Sequence, residues 1–172
     1  MASKKQILWD DGERVFTRER DPGEGSVSKL MVRPALAQPL PATLDRLVHE
    51  YGLKDDLHRE WALQPRALDR AGGTTRLLFD DPGGEPLSRL LVAPLNIETC
   101  LLHAINIAVA LGRLHQCGLV HKDLKPQHIL VLCDDGQARL TGFGLASRLP
   151  RERQAPTPPE TIAGTLAYMA PE

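Results

Sequence analysis

The apolar rhythm of the chain changes twice. Short alternating runs come first: Ile7-Leu8-Trp9, Arg14 to Thr17 and Val27 to Val32 predict three strands, punctuated by turn signals at Asp11-Gly12 and Asp21-Pro22-Gly23. A Pro34 to Pro41 linker leads into a helix capped by Thr43, with Leu44, Leu47, Val48 and Tyr51 on one face. Residues 57 to 70 continue that helix before the chain turns back into strands, of which Thr74 to Phe79 is one. The longest helix runs from Ile97 to Cys117, capped by Asn96 and stopped by Gly118. Its stripe of Ile97, Leu101, Ile105, Ala108 and Leu111 marks it as core scaffold. Beyond it, Ile129 to Leu132 and a second short strand flank an Asp135-Gly136 turn. From Leu149 to Glu160 four prolines replace all periodicity, the pattern of a mobile segment.

Composition narrows the reading only slightly. The 172 residues carry a formal net charge of −1 with 25% charged residues, which gives no electrostatic bias toward nucleic acid or a membrane surface. Three cysteines, Cys100, Cys117 and Cys133, lack metal-ligand spacing, and their odd number fits a reducing compartment. The histidines form no HExxH-type set. The N-terminus has only three apolar residues before Asp10-Asp11, too few for a signal peptide, and no apolar run reaches membrane-spanning length, so the expected location is cytoplasmic.

The chemistry is concentrated between Gly118 and Arg148. His121-Lys122-Asp123-Leu124-Lys125-Pro126 is followed by the apolar run 129 to 132, a turn, a second strand and Gly142-Phe143-Gly144, and the sequence closes on Ala170-Pro171-Glu172. In this order and spacing the segment resembles a protein-kinase catalytic loop running into its metal-binding loop. The resemblance implies an α+β, two-lobe kinase-like fold, with a β-rich N-lobe over residues 1 to 82 and a partial helical C-lobe over 83 to 172. Such folds need roughly 250 residues, so the expectation is a fold truncated after Ala-Pro-Glu. It also implies Asp123 as the base that accepts the substrate hydroxyl's proton, and Lys125 near the transferring phosphate, as in Ser/Thr kinases.

Two expected metal ligands are missing. The Asn five residues after the catalytic Asp is His128, a poor ligand for a hard ion that prefers oxygen, and the Asp of Asp-Phe-Gly is Gly142, which has no side chain. ATP is then a possible ligand and Mg2+ a doubtful one. With Val15 matched to the valine after the phosphate-covering loop, the three glycine positions fall on Leu8, Asp10 and Glu13, leaving Gly12 as the sole glycine nearby. Carboxylates there repel phosphate. Arg33 falls at the position of the nucleotide-gripping lysine, with Lys29 as the other candidate. Glu50 is either its helix partner or a solvated surface residue. Asp80 and Asp81 open a segment resembling the kinase hinge, whose backbone groups would meet adenine.

His-Lys-Asp in place of His-Arg-Asp, Thr-Gly-Phe-Gly, and Gly164-Thr165-Leu166-Ala167-Tyr168-Met169-Ala170-Pro171-Glu172 together resemble the N-terminal Ser/Thr-kinase-like module of large bacterial sensor histidine kinases. That resemblance implies a signalling parent, whose other domains would be partners alongside a protein substrate. Two functions compete: a regulatory pseudokinase module, and an active ATP-dependent Ser/Thr kinase using Asp123. A small-molecule phosphotransferase is disfavoured by Lys125 and Ala-Pro-Glu.

Overall fold

The computed structural model describes residues 4–20, 28–133, 136–149 and 164–169. The expected turn at Asp21-Pro22-Gly23, the start of the third strand at Val27, Asp135, the proline-rich stretch and Ala170-Pro171-Glu172 lie outside them. Two lobes are present. The first is a five-stranded antiparallel sheet of order β1-β2-β3-β5-β4, built from β1 (Lys4–Asp10), β2 (Arg14–Arg20), β3 (Ser28–Pro34), β4 (Pro65–Asp69) and β5 (Arg76–Asp80), with α1 (Pro41–Gly52) against it. The second contains β6 (Glu85–Pro86), α2 (Leu87–Leu90), α3 (Ile97–Gln116), β7 (Leu119–Val120), β8 (Ile129–Val131), β9 (Ala138–Leu140) and β10 (Ser147–Arg148), in a β6-β8-β9 sheet and a β7-β10 pair.

A bulge on the edge strand shapes the cleft between the lobes. The β1–β2 register slips between Ile7 and Trp9, so the alternation of side chains breaks there. Leu8 and Trp9, neighbours in sequence, are consequently both buried, at 3% and 7% exposure, while Ile7 faces solvent. They join Phe16, Leu30, Val32, Leu47, Leu77, Phe79 and, from the second lobe, Leu130 in one cluster. A second cluster forms on α3 and β9 around Leu114, Leu119, Leu140 and Phe143.

Several expectations about helices change. Pro41 begins α1 at its first turn, after Leu40, so Thr43 lies inside the helix and does not cap it. The buried positions are Thr43, Leu47 and Glu50, and Val48 is exposed. The helix ends at Gly52 and does not continue through 57 to 70. Trp61 and Leu63 instead exchange backbone hydrogen bonds with Leu140 at 2.8 and 2.9 Å, which ties the lobes together ahead of β4. On α3 the Asn96 cap is confirmed, its side chain accepting from Thr99 N at 2.8 Å. Its packed residues, however, are Ala110 and Leu114, flanked by Ile107 and Leu111, whereas Ile97, Leu101 and Ile105 are exposed. By length and composition α3 does reach membrane-spanning size, contrary to the expectation from sequence. In this fold it packs on β9 and β7.

Candidate functional site

The loop from 118 to 128 is held by backbone and buried imidazoles. Gly118, at φ 72°, turns the chain out of α3, and Lys122 takes the left-handed region at φ 64°, uncommon for a residue with a Cβ. His121 Nε2–H donates to Thr141 O at 2.8 Å and its Nδ1 accepts from Asp123 N at 3.3 Å, which fixes the neutral tautomer. Burial holds its pKa below the usual histidine value. Asp123 Oδ1 accepts from Thr165 Oγ1 at 2.6 Å, Lys125 Nζ stands 3.4 Å from Oδ2, and the same ammonium donates to Thr165 Oγ1 at 3.3 Å. Burial alone would raise the Asp123 pKa. The Thr165 bond and the Lys125 charge outweigh it, and the carboxylate lies below its ordinary range. Asp123, Lys125 and Thr165 thus form one ionised, hydrogen-bonded group able to accept a proton. Thr165, in the Gly-Thr pattern, is a site member that the sequence reading did not single out.

The metal positions do not fit magnesium. His128 is fully buried, its Nδ1–H donating to Asp123 O at 2.8 Å, while its Nε2 is buried with no partner. Burial drops its pKa to about 3, so the ring is neutral at pH 7 and offers nitrogen to an ion that prefers oxygen. Gly142 sits in the left-handed region at φ 76°, and a Cβ built there would stand 2.6 Å from the His128 ring. The imidazole therefore fills the space into which a side chain at 142 would project. Among the described residues no three His, Cys, Asp or Glu side chains converge as metal ligands.

On the opposite wall, Glu50 is buried and accepts from Gly142 N at 3.2 Å, which rules out the solvated reading. Burial raises its pKa. The charge of Arg14 and the amides of Phe143 and Gly142 oppose that rise. Arg33 is not among the groups acting on Glu50: it is half-buried and donates to Pro34 O at 3.0 Å, and Lys29 is exposed. The guanidinium that reaches the cleft is Arg14 on β2, 4% exposed and stacked 5.7 Å from the centroid of the Trp9 ring, which itself meets the His128 ring edge-on at 5.6 Å. Sequence reasoning missed both Trp9 and Arg14. The one available signal was a cation placed directly before the apolar pair Val15-Phe16.

The β1–β2 turn presents its amides to its own carboxylates. Gly12 N donates to Asp10 Oδ1 at 2.9 Å, and Glu13 N and Arg14 N donate to Asp11 Oδ1 at 3.1 and 2.6 Å. Asp11 Oδ2 also accepts from Arg14 Nη2 at 3.1 Å. A Glu13–Arg46 ion pair at 2.7 Å ties the turn to α1.

Neither hinge aspartate points its carboxylate into this cleft. Asp80 faces outward between Arg59 and Arg66, each at 3.0 Å. Asp81 is 1% exposed at its side chain and accepts from Arg18 Nε and Ser28 Oγ, both at 2.6 Å, and from Gly83 N at 2.9 Å. Burial pushes its pKa up, but these bonds win and hold it below the carboxylate range. Arg18 also donates to Gly84 O at 2.7 Å and pairs with Glu85, so a half-buried cation pins the 81–85 segment to β2. Asp81→Ala should therefore cost about 2–4 kcal/mol in a urea melt, because Arg18 keeps only part of its compensation. A loss below about 0.5 kcal/mol would show that water replaces the carboxylate there.

A family model described as a protein kinase domain matches residues 76–172, more than half of the chain. The chain is 31% identical over 148 residues to a probable serine/threonine-protein kinase, PkwA, of Thermomonospora curvata, covering 77% of this chain and 19% of that protein. It is 28% identical over 158 residues to the serine/threonine-protein kinase PknA of Mycobacterium tuberculosis, covering 90% of this chain and 31% of that protein.

Proposed function

Because this chain belongs to the protein kinase family, whose members transfer the γ-phosphoryl of ATP with magnesium, we propose that it is a Ser/Thr-type kinase domain that has given up metal-dependent transfer and acts as a regulatory module. The observation that carries this reading is the His128 ring lying 2.6 Å from where a Gly142 Cβ would stand. The place for a metal-binding carboxylate is taken by a neutral imidazole. Without cations to balance the spread phosphoryl charge, the largest electrostatic contribution to catalysis is gone. The motif resemblance to sensor histidine kinases supports a cytoplasmic signalling parent whose other domains are the partners, with the lobe boundary between residues 82 and 83.

A second reading, an active Ser/Thr kinase acting on a protein substrate, is favoured by one specific observation. Asp123, Lys125 and Thr165 retain a geometry suited to accepting a hydroxyl proton. A thermal-shift titration separates the two. The regulatory reading expects a small stabilisation by ATP, the same in EDTA as in magnesium. A shift that grows sharply with magnesium, accompanied by radiolabel transfer to a generic Ser/Thr substrate, would favour the enzyme.

A further inference from the structure

The two rings that meet between the lobes each carry a buried polar atom with no partner. Trp9 comes from β1 of the first lobe and is 7% exposed, while His128 comes from the second lobe and is fully buried. Their centroids stand 5.6 Å apart, edge-on at 64°. Trp9 Nε1–H is a donor without an acceptor. His128 Nε2, on a ring whose Nδ1 carries the hydrogen, is an acceptor without a donor. A buried indole ordinarily finds a partner for its N–H, so this packing leaves one donor and one acceptor unused at a single contact.

What holds the indole in place is apolar and planar. The bulge in the β1–β2 register turns Trp9 inward beside Leu8, with the Phe16 ring 5.6 Å away at 38° and the Arg14 guanidinium 5.7 Å from the indole centroid. Leu130 of β8 joins the same cluster from the second lobe at 1% exposure. An exposed bond from Arg89 Nη2 to Ile7 O at 3.1 Å ties the same strand to α2. The indole is thus drawn between the lobes by burial and opposed by the hydrogen bond it does not make. We propose that Trp9 is a displaceable seal: the chain's own indole fills a slot between the lobes, and a planar heteroaromatic molecule bearing an N–H takes that slot only by expelling it, donating to His128 Nε2 where the indole does not. This seal rests on the regulatory reading of the cleft and deepens it, by giving the chemical class of molecule that parts the lobes without a metal.

The test uses the whole chain in EDTA, with benzimidazole as the probe and N-methylbenzimidazole as its counterpart without an N–H. Labelling with fluorotryptophan gives separate fluorine resonances for Trp9 and Trp61, assigned with Trp9→Phe. In wild type, benzimidazole should bind weakly, since each binding event must first expel the indole, and it should move the Trp9 resonance toward that of an exposed ring. Trp9→Ala leaves an apolar slot that nothing has to vacate, and it should bind benzimidazole about tenfold or more tightly than wild type. N-methylbenzimidazole should gain clearly less. Adding His128→Leu to Trp9→Ala should erase that difference between the two probes, because the acceptor is gone. Trp9→Leu, which keeps apolar contact but gives up the ring, decides the matter if the alanine variant does not fold. A wild-type Trp9 resonance that stays in place up to the solubility limit of benzimidazole overturns the proposal, and so do folded Trp9 variants that bind the probe no more tightly than wild type. Magnesium-dependent radiolabel transfer by wild type would overturn the regulatory reading instead, and it leaves the fluorine spectra to decide on the seal.

Discussion

Gly142→Asp introduced alone should destabilise the protein by about 3 kcal/mol or more, while the same change on a His128→Asn background should cost only about 1 kcal/mol. Strain and steric overlap add in the single variant. The backbone at φ 76° strains any residue with a Cβ, and that Cβ would lie 2.6 Å from the buried His128 ring. Aspartate tolerates the left-handed region better than most residues, so the overlap with the ring costs more than the strain. Replacing the ring by the shorter asparagine removes the overlap and leaves the strain. Denaturant melts of the four variants in the cycle should give a favourable coupling of about 2 kcal/mol.

The same cycle reads out chemistry. The double variant alone places two oxygen-bearing side chains where kinases hold magnesium, and it should transfer radiolabel from ATP above either single variant. Adding Asp123→Asn should return it to background, because shape is kept and the base is lost. Additive stabilities would mean that the ring at 128 moves aside at no cost, and the steric account of the missing metal site would fall. Wild-type transfer that depends on Asp123 and does not respond to either restoration would favour an enzyme with an unusual site.

The 118–148 segment could be read from the sequence as one unit because its pattern lies in residue identities at fixed spacing, and the fold brings Asp123 to Lys125 and the His128 ring to Gly142. Glu50 was legible as a candidate and its burial was not, since α1 turns Thr43, Leu47 and Glu50 inward on a register set by Pro41. What escaped depends on breaks in periodicity. Strand alternation cannot place Leu8 and Trp9 on the same side, and a single bulge does so, carrying Trp9 to His128. Arg14 was invisible for a related reason: its role comes from Trp9, Asp11 and Glu50 meeting around it, two of them within five residues and the third 36 residues away in the chain. The segment from 57 to 70 carries helix-compatible residues, yet its backbone is claimed by Leu140 and by the β4–β5 pairing, so tertiary hydrogen bonds override local preference.

Acid should unfold this protein through His128. The ring's ordinary value of 6.5 falls to about 3 in the fold, chiefly because burial penalises the imidazolium, with Arg14 and Lys125 adding repulsion and Asp123 opposing it. Below 6.5 the unfolded chain takes up a proton that the folded chain refuses, so stability is complete above that pH and is lost as the pH falls toward 3. By about pH 4.5 the loss from this one residue is roughly 2–3 kcal/mol. His121, also depressed by burial, acts in the same direction, and Asp123 joins it below 3.8. Glu50 acts oppositely: its raised value means that the folded state binds the proton more tightly, so its contribution grows as the pH falls toward 4.5. Urea melts at pH 7 and about 4.5 should show wild type losing roughly 2–3 kcal/mol more than His128→Asn, which cannot titrate. Equal losses in the two proteins would mean that the imidazole accepts its proton inside the fold, and that the unpartnered Nε2 has an acceptor or water within reach.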